Sequence, residues 1–333
     1  MRHHKNVWMM LIVLSIVAIL FYLFFWMLTT PYDLFPSDPE RADRMLSAIK
    51  SILSRKSSQV MAMIISAILI SSTSLIFQTL TNNRILTPSL IGFDAIFVLV
   101  QTVIVFFFTS SSIVYVNPYI NFLVAATLMI VLSLLMYRLI LRKNRNHIIF
   151  LLLVGMVLST LSRSLATFLQ TVMDPEEFQS LLIRTEVSIA NMNTTIIWLS
   201  LPLMVLIVIL IVKNFRSYDV MSLGESQAIG LGVDYAKKLN WGLIYIALAM
   251  SISTAMIGPI SFLGLIAVNA AREILKTYKH FPLFIASSLI AIIFIVLGQG
   301  IIVETGYLTT VTVLISMIGG AYMIYLVLKE NKT

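Results

Sequence analysis

Uncharged apolar stretches of 18 residues or more recur from Val7 to Leu328. A helix crossing the bilayer core of about 30 Å needs about 20 such residues. Backbone in lipid must satisfy its own hydrogen bonds, so only helices or closed barrels cross it. Barrel strands alternate apolar and polar side chains, and these stretches do not. The pattern predicts an all-α membrane protein with one transmembrane domain over residues 1–333. Composition agrees: 11% of the 333 residues are charged, against roughly 25% in a soluble domain, and mean hydropathy is +0.96. A soluble enzyme, a nucleic-acid-binding domain and a disordered chain are thereby excluded. The net charge of +8 reads as cytoplasmic loop charge, not as a nucleic-acid footprint. The chain has no cysteine, which removes disulfides, thiolate metal sites and cysteine nucleophiles. His3, His4, His147 and His280 sit at the edges of apolar runs and form no ligand cluster in sequence. Residues 7–28 exceed the core of a secretory signal, about 7–15 residues, so they are expected to be a retained first span.

Ten spans are expected, near 7–29, 57–81, 90–109, 117–141, 148–173, 194–212, 239–257, 261–275, 281–300 and 307–328; the eighth is short for a full crossing. Loop cations orient them. With the N-terminus inside, Arg2, Lys5, Arg84, Arg138, Arg142, Lys143, Arg145, Lys213, Arg216, Lys237, Lys238, Arg272, Lys276, Lys279, Lys329 and Lys332 fall inside. Only Arg41, Arg44, Lys50, Arg55, Lys56 and Arg184 fall outside. The positive-inside rule then places both termini in the cytoplasm. The outer loop 30–56 is mixed in charge, and 174–193 is acidic.

Two spans carry polar stripes at helical spacing: Ser71, Ser74, Gln78 and Asn82 in the second, and Gly155, Ser159, Arg163, Ala166 and Gln170 in the fifth. Small and hydroxyl residues let membrane helices approach closely. Gln78 and Arg163 fit that reading less well. A charge in mid-span faces a cavity or a partner, so Arg163 either lines a path or pairs internally. Asp94 is the one carboxylate expected within a span.

An inside loop of about 25 residues joins the sixth and seventh spans, longer than most helix connections. Ser222 with Glu225 three residues later reads as a capping box. Gly230 and Gly232 supply stop signals. The short helix between would carry an apolar side of Leu223, Ala228, Ile229 and Leu231. That side docks either on a partner or on the protein's own bundle and the lipid interface. The chain shows no nucleotide-binding lysine motif, no dinucleotide fingerprint, no H-E-x-x-H and no G-x-S-x-G. Active transport would therefore draw on another subunit or an ion gradient.

Three segments carry a resemblance. Gln78-Thr79-Leu80-Thr81-Asn82-Asn83-Arg84-Ile85-Leu86-Thr87-Pro88-Ser89-Leu90-Ile91-Gly92 is the first. Leu223-Gly224-Glu225, Ala228 and Leu231-Gly232 form the second. Gly258-Pro259-Ile260-Ser261-Phe262-Leu263-Gly264-Leu265 with Arg272 is the third. In this order, on a ten-span layout, they resemble the iron-chelate permeases of bacterial ABC importers, the FecCD type that includes the vitamin B12 permease. The chain departs from that pattern at the glycine-free run Ser66–Ser74, at Val268-Asn269 in place of Pro-His, and at Lys56-Ser57-Ser58-Gln59 in place of R-x-P-R. These departures, with Gly319-Gly320-Ala321-Tyr322, look most like the catecholate-siderophore branch.

The resemblance implies a type II ABC importer permease fold in the bacterial plasma membrane. It implies a second permease subunit, identical or homologous, two ATPase subunits inside and an extracytoplasmic substrate-binding protein outside. Ferric siderophore is the implied cargo. No cofactor is bound by this chain; ATP and Mg belong to the ATPase. The coupling segment would comprise Ser222, Leu223, Gly224, Glu225, Ala228, Leu231 and Gly232, with Ala228 at the contact. Arg55 and Lys56 would dock the binding protein, and Gln78, Asn82, Arg163 and Gln170 would line the path. The alternatives are a cobalamin or haem importer of the same fold, and an ion-gradient-driven secondary transporter.

Overall fold

The computed structural model describes residues 2–25, 27, 39–143, 148–186, 189, 192–306 and 309–330. Arg145, His147, Lys332 and the segment 30–38 of the first outer loop lie outside the described residues. So do the side chains of Arg2, His3, His4, Lys5, Arg142, Lys143 and Lys329. The described residues are helical and contain no strand. The helices run α1 (Arg2–Phe24), α2 (Pro39–Leu80), α3 (Phe93–Phe108), α4 (Ile113–Val116), α5 (Pro118–Lys143), α6 (Ile148–Val172) and α7 (Pro175–Thr185). They continue as α8 (Thr194–Lys213), α9 (Phe215–Met221), α10 (Glu225–Gly230), α11 (Tyr235–Ile257), α12 (Leu263–Leu275), α13 (His280–Glu304) and α14 (Val311–Glu330). Eight of them are long and apolar enough to cross a membrane. With α3 and α12, both shorter, these match the ten expected spans.

The second span corrects the expected boundary. Instead of starting at 57 after a loop, α2 runs unbroken for 42 residues, about 63 Å at 1.5 Å per residue. No glycine or proline interrupts it after Pro39. The outside cations Arg41, Arg44, Lys50, Arg55 and Lys56 therefore ride on a helix. An i,i+4 pair, Arg44–Glu40 at 3.0 Å, adds to its first turns; being exposed, it is worth little.

α2 is also the centre of the bundle. Of its apolar window 83% is buried, against 11% for α6. Small side chains make that position tenable. The Ser72 and Thr73 hydroxyls donate to Leu69 carbonyls at 3.0 and 2.8 Å, so they reach no hydrocarbon unsatisfied. Ser71 pairs with Ser288 of α13 at 3.0 Å. On α12, a Cβ at Gly264 would overlap the Ser74 hydroxyl. The stripe of small residues on α2 is thus a packing surface.

Asn82 leaves that stripe. It is exposed, with φ 45°, in the left-handed region just past the helix end. Asn83 N–H donates to Gln78 O and Asn82 N–H to Thr79 O, at 3.1 and 3.2 Å, which is a Schellman closure. Asparagine tolerates that conformation better than most residues. Asn82 stops α2 instead of extending its polar face.

The third span is also broken. A 3-10 turn, Pro88–Ile91, precedes Gly92, whose φ is 110°, and α3 starts only at Phe93. α12 has the same form: it follows an irregular stretch from Gly258 and opens on Phe262, a non-glycine residue at φ 63°. A left-handed residue of this kind costs about 1–2 kcal/mol. Gly319 of α14 leaves room for its side chain: a Cβ there would overlap the Phe262 Cβ.

Candidate functional site

α6 builds one wall of the site with the stripe expected of it. Gly155 packs on Ile91, and a Cβ on Gly92 would come within 2.8 Å of the Ser159 Cβ. Ala166 is buried, and Gln170 Nε2 donates to Thr102 of α3 at 3.0 Å. At the middle of this seam Arg163 makes no hydrogen bond or ion pair with another described residue and is exposed on the single chain. It faces two adjoining cavities of about 390 and 210 Å³, both also lined by Asp94 and Ser261.

Asp94 and Ser261 come from the two broken segments. Ser261 Oγ donates to Asp94 Oδ2 at 2.5 Å, bridging the start of α3 to the turn before α12. Asp94 Oδ1 is buried without a close hydrogen-bond donor among the described residues. Thr87 and Ser89 line the smaller cavity, and Gln170 and Thr312 the larger. Non-helical backbone at membrane depth is tolerated where it is buried in protein or lines a water-filled cavity. Here two such stretches meet at the two adjoining cavities opposite the centre of α6. Arg163 lines these cavities beside Asp94 and forms no ion pair with another described residue.

Gln78 is elsewhere. It is 2% exposed inside the bundle, and neither amide atom has a protein partner. Neither Gln78 nor Asn82 lines these cavities. Of the four expected path residues, the structure brings together Arg163 and Gln170. Asp94, Ser261, Ser89 and Thr312 were not expected at the site. Asp94 was legible as an intramembrane acid; the others carry no signal beyond hydroxyl chemistry.

A third cavity of about 460 Å³ lies beside Arg184, Gln101 and Asn121. Its arginine is tied down: Nε donates to Asn121 Oδ1 at 3.3 Å and Nη2 to Tyr115 O at 3.2 Å. Burial pushes the Arg184 guanidinium below its ordinary pKa.

The expected docking cations diverge. Arg55 is exposed. Lys56 is buried: Nζ donates to Tyr22 O at 3.2 Å and sits 4.4 Å from the Tyr22 ring centroid. That position corrects the docking role for Lys56, whose ammonium holds α2 to α1.

The segment between α8 and α11 forms a short helix, α10, but not with the expected cap. Ser222 ends α9, its hydroxyl donating to Asp219 O at 2.7 Å. The N-cap of α10 is Gly224, φ 104°, with no side-chain cap. The capping box is therefore absent, because Ser222 is engaged one turn earlier. The stop is as expected: Val233 N–H donates to Ala228 O and Gly232 N–H to Ile229 O, with Gly232 at φ 82°.

Ala228 is 0% exposed. It packs inside the chain, which corrects its expected place at a partner contact. Leu223, Ile229 and Leu231, by contrast, are 56%, 55% and 65% exposed. The apolar residues of this segment divide between the protein's own bundle and open solvent. Among the described residues, no three His, Asp or Glu side chains gather at metal-binding distance.

This fold has solved counterparts. A structure titled as an inward-facing conformation of a putative metal-chelate type ABC transporter superposes with a TM-score of 0.81, covering 98% of this chain and 99% of that one at 18% identity. In sequence, the petrobactin import system permease protein YclO of Bacillus subtilis is 43% identical over 84% of this chain and 90% of its own length. FatC of Bacillus anthracis, also a petrobactin import system permease protein, is 30% identical over 84% and 79%. The FecCD transport family matches residues 10–329, and with eight helices long and apolar enough to cross a membrane and three motifs in family order, this multi-pass membrane chain belongs to that family.

Proposed function

We propose that the chain is the permease subunit of an ATP-driven importer that carries ferric siderophore, of catecholate type, across the bacterial plasma membrane. The observation that carries this reading is the cytoplasmic segment. Three large apolar side chains stand exposed on α10 and its flanks, while Ala228 anchors the same segment to the bundle. A transporter driven by an ion gradient has no need of such a docking face. Two ATPase subunits dock there and hydrolyse ATP, so the chain is not itself an enzyme. ATP and Mg stay on those subunits, and this chain binds no cofactor. Residues 1–333 act as one permease domain with both termini cytoplasmic. The sparsely buried α6 leaves a face for a second permease subunit, identical or homologous. Cargo passes beside Arg163, whose charge suits an anionic chelate. The petrobactin import relatives support the cargo class.

Permease recovered from its native membrane should bring an ATPase with it. Vesicles of that complex, with binding protein outside, should accumulate ferric petrobactin only when ATP is inside. Uptake driven by a proton or sodium gradient without ATPase would establish a secondary transporter. Accumulation of cobalamin or haem in place of the ferric chelate would move the cargo to the same-fold alternative.

Arg55 remains the docking cation for an acidic binding protein. Charge complementarity of this kind is screened by salt. Arg55→Glu should weaken binding-protein capture at low ionic strength and matter little at high. Equal affinity for both forms at low salt removes Arg55 from the contact.

A further inference from the structure

A buried polar cluster joins the loop side of three helices. His280 opens α13, and its ring is 1% exposed. One oxygen, Oδ1 of Asp219 on α9, accepts the His280 backbone N–H at 2.7 Å and lies 2.6 Å from ring Nδ1. The other ring nitrogen, Nε2, lies 2.8 Å from Thr79 Oγ1, one residue before the end of α2. Phe215 and Tyr218, also on α9, flank the ring at 6.0 and 5.9 Å between centroids.

The chemistry of this cluster is specific. The first N–H groups of a helix have no intrahelical acceptor, and Lys279, the local N-cap of α13, offers no side-chain bond. Asp219 supplies the cap from 61 positions away, and its negative charge suits a helix N-terminus. Desolvation pushes the Asp219 carboxyl up. The bonds from the His280 ring and backbone outweigh it and hold the carboxyl below its ordinary pKa. The Thr79 hydroxyl has two partners within reach, Leu75 O at 3.0 Å and His280 Nε2. With Nδ1–H donating to the Asp219 carboxylate, the neutral ring presents Nε2 as an acceptor, and the Thr79 hydroxyl donates to it or to Leu75 O.

We propose that Asp219, His280 and Thr79 form a positioning joint that carries movement of the α9–α10 docking segment into α2 and α13. This rests on the reading that an ATPase docks on α10. The joint is connected to that surface without slack. Leu223 N–H donates to Val220 O and Gly224 N–H to Met221 O, at 3.1 and 3.0 Å, so the turn between α9 and α10 is hydrogen-bonded throughout. A push on Leu223, Ile229 or Leu231 therefore reaches Asp219 through a short rigid path. From there, one arm of the histidine leads to the first residue of α13 and the other to the central helix. None of the three side chains touches the polar cavity or cargo; they act through the helices they join.

The test compares chelate imported per ATP hydrolysed, in vesicles holding the permease, its ATPase and loaded binding protein. Asp219→Asn and Thr79→Val should each lower that ratio while ATPase still co-purifies. A drop of about tenfold for Asp219→Asn corresponds to losing one charge-assisted hydrogen bond. Thr79→Ser, which keeps the hydroxyl, should restore the ratio. A purely structural role predicts that import and hydrolysis fall together with the ratio unchanged, and that result overturns the joint. If Asp219→Asn does not assemble, the ratio in Thr79→Val against Thr79→Ser decides, since neither removes the helix cap. Failure of the unaltered permease to recruit any ATPase overturns the docking reading, and the joint with it.

Discussion

Permease carrying both Ile229→Glu and Leu231→Glu should insert normally, lose its ATPase and import no chelate. Each of these side chains is more than half exposed, so the fold has little to lose. Burying an Ile or Leu at a contact is worth about 1.5–3 kcal/mol. Removing two such contacts costs at least about 3 kcal/mol, more than a hundredfold in affinity, before any penalty for the buried carboxylates. Ala228→Trp should fail by a different route. Ala228 is fully buried, and overpacking costs about 1–3 kcal/mol, so that variant should also melt at lower temperature. ATPase recovery, thermal midpoint and uptake in one preparation separate the two. Full uptake by the double glutamate variant would show that α10 is not the docking element.

Arg163→Gln should cut transport of anionic ferric chelate about tenfold, equivalent to about 1.4 kcal/mol along the path, while ATPase stimulation by the binding protein is largely kept. The arginine lines both cavities beside Asp94. Its loss leaves a carboxylate without its neighbouring counter-charge in space that the proposed cargo path would share. Like charge in such a confined, poorly screened place is repulsive. A companion change, Asp94→Asn with Arg163→Gln, should recover part of the loss by removing the repelling partner. Unaltered transport by Arg163→Gln takes the arginine off the path. A variant that fails to reach the membrane shows instead that Arg163 braces helices.

The apolar runs placed every long helix to within a few residues except α2, because a span ends where its apolar run meets loop charge. The α2 extension was missed because residues 39–56 are polar, and a helix continued from an embedded one needs no apolar face of its own. The α6 stripe was legible because helical spacing puts Gly155, Ser159, Arg163, Ala166 and Gln170 on one line. Its partner surface was not: Gly92 and Phe262 take left-handed conformations, and no local pattern marks a phenylalanine for that. The cytoplasmic segment was found from its length and glycines. A helix of six residues is too short for periodicity to tell its buried face from its exposed one, so Ala228 was misplaced. His280 was placed at the edge of an apolar run, but its partners, 61 and 201 positions away, were not legible. No local pattern reports a cluster of that kind.

The two short helices, α3 and α12, have a consequence for the parity of the chain. Parity depends only on whether the number of crossings is even, and eight crossings or ten return the C-terminus to the side where the N-terminus began. A reporter fused to the C-terminus therefore cannot tell both of these helices crossing from neither crossing. The sidedness of everything between them is not. If neither crossed, α7 and the α9–α10 segment would exchange sides, putting the acidic turn of α7 in the cytoplasm and the exposed leucines outside. One accessible tag beside α7 thus fixes a handedness that both ends of the molecule leave undetermined. Two breaks in the helical backbone are what give that single loop such leverage.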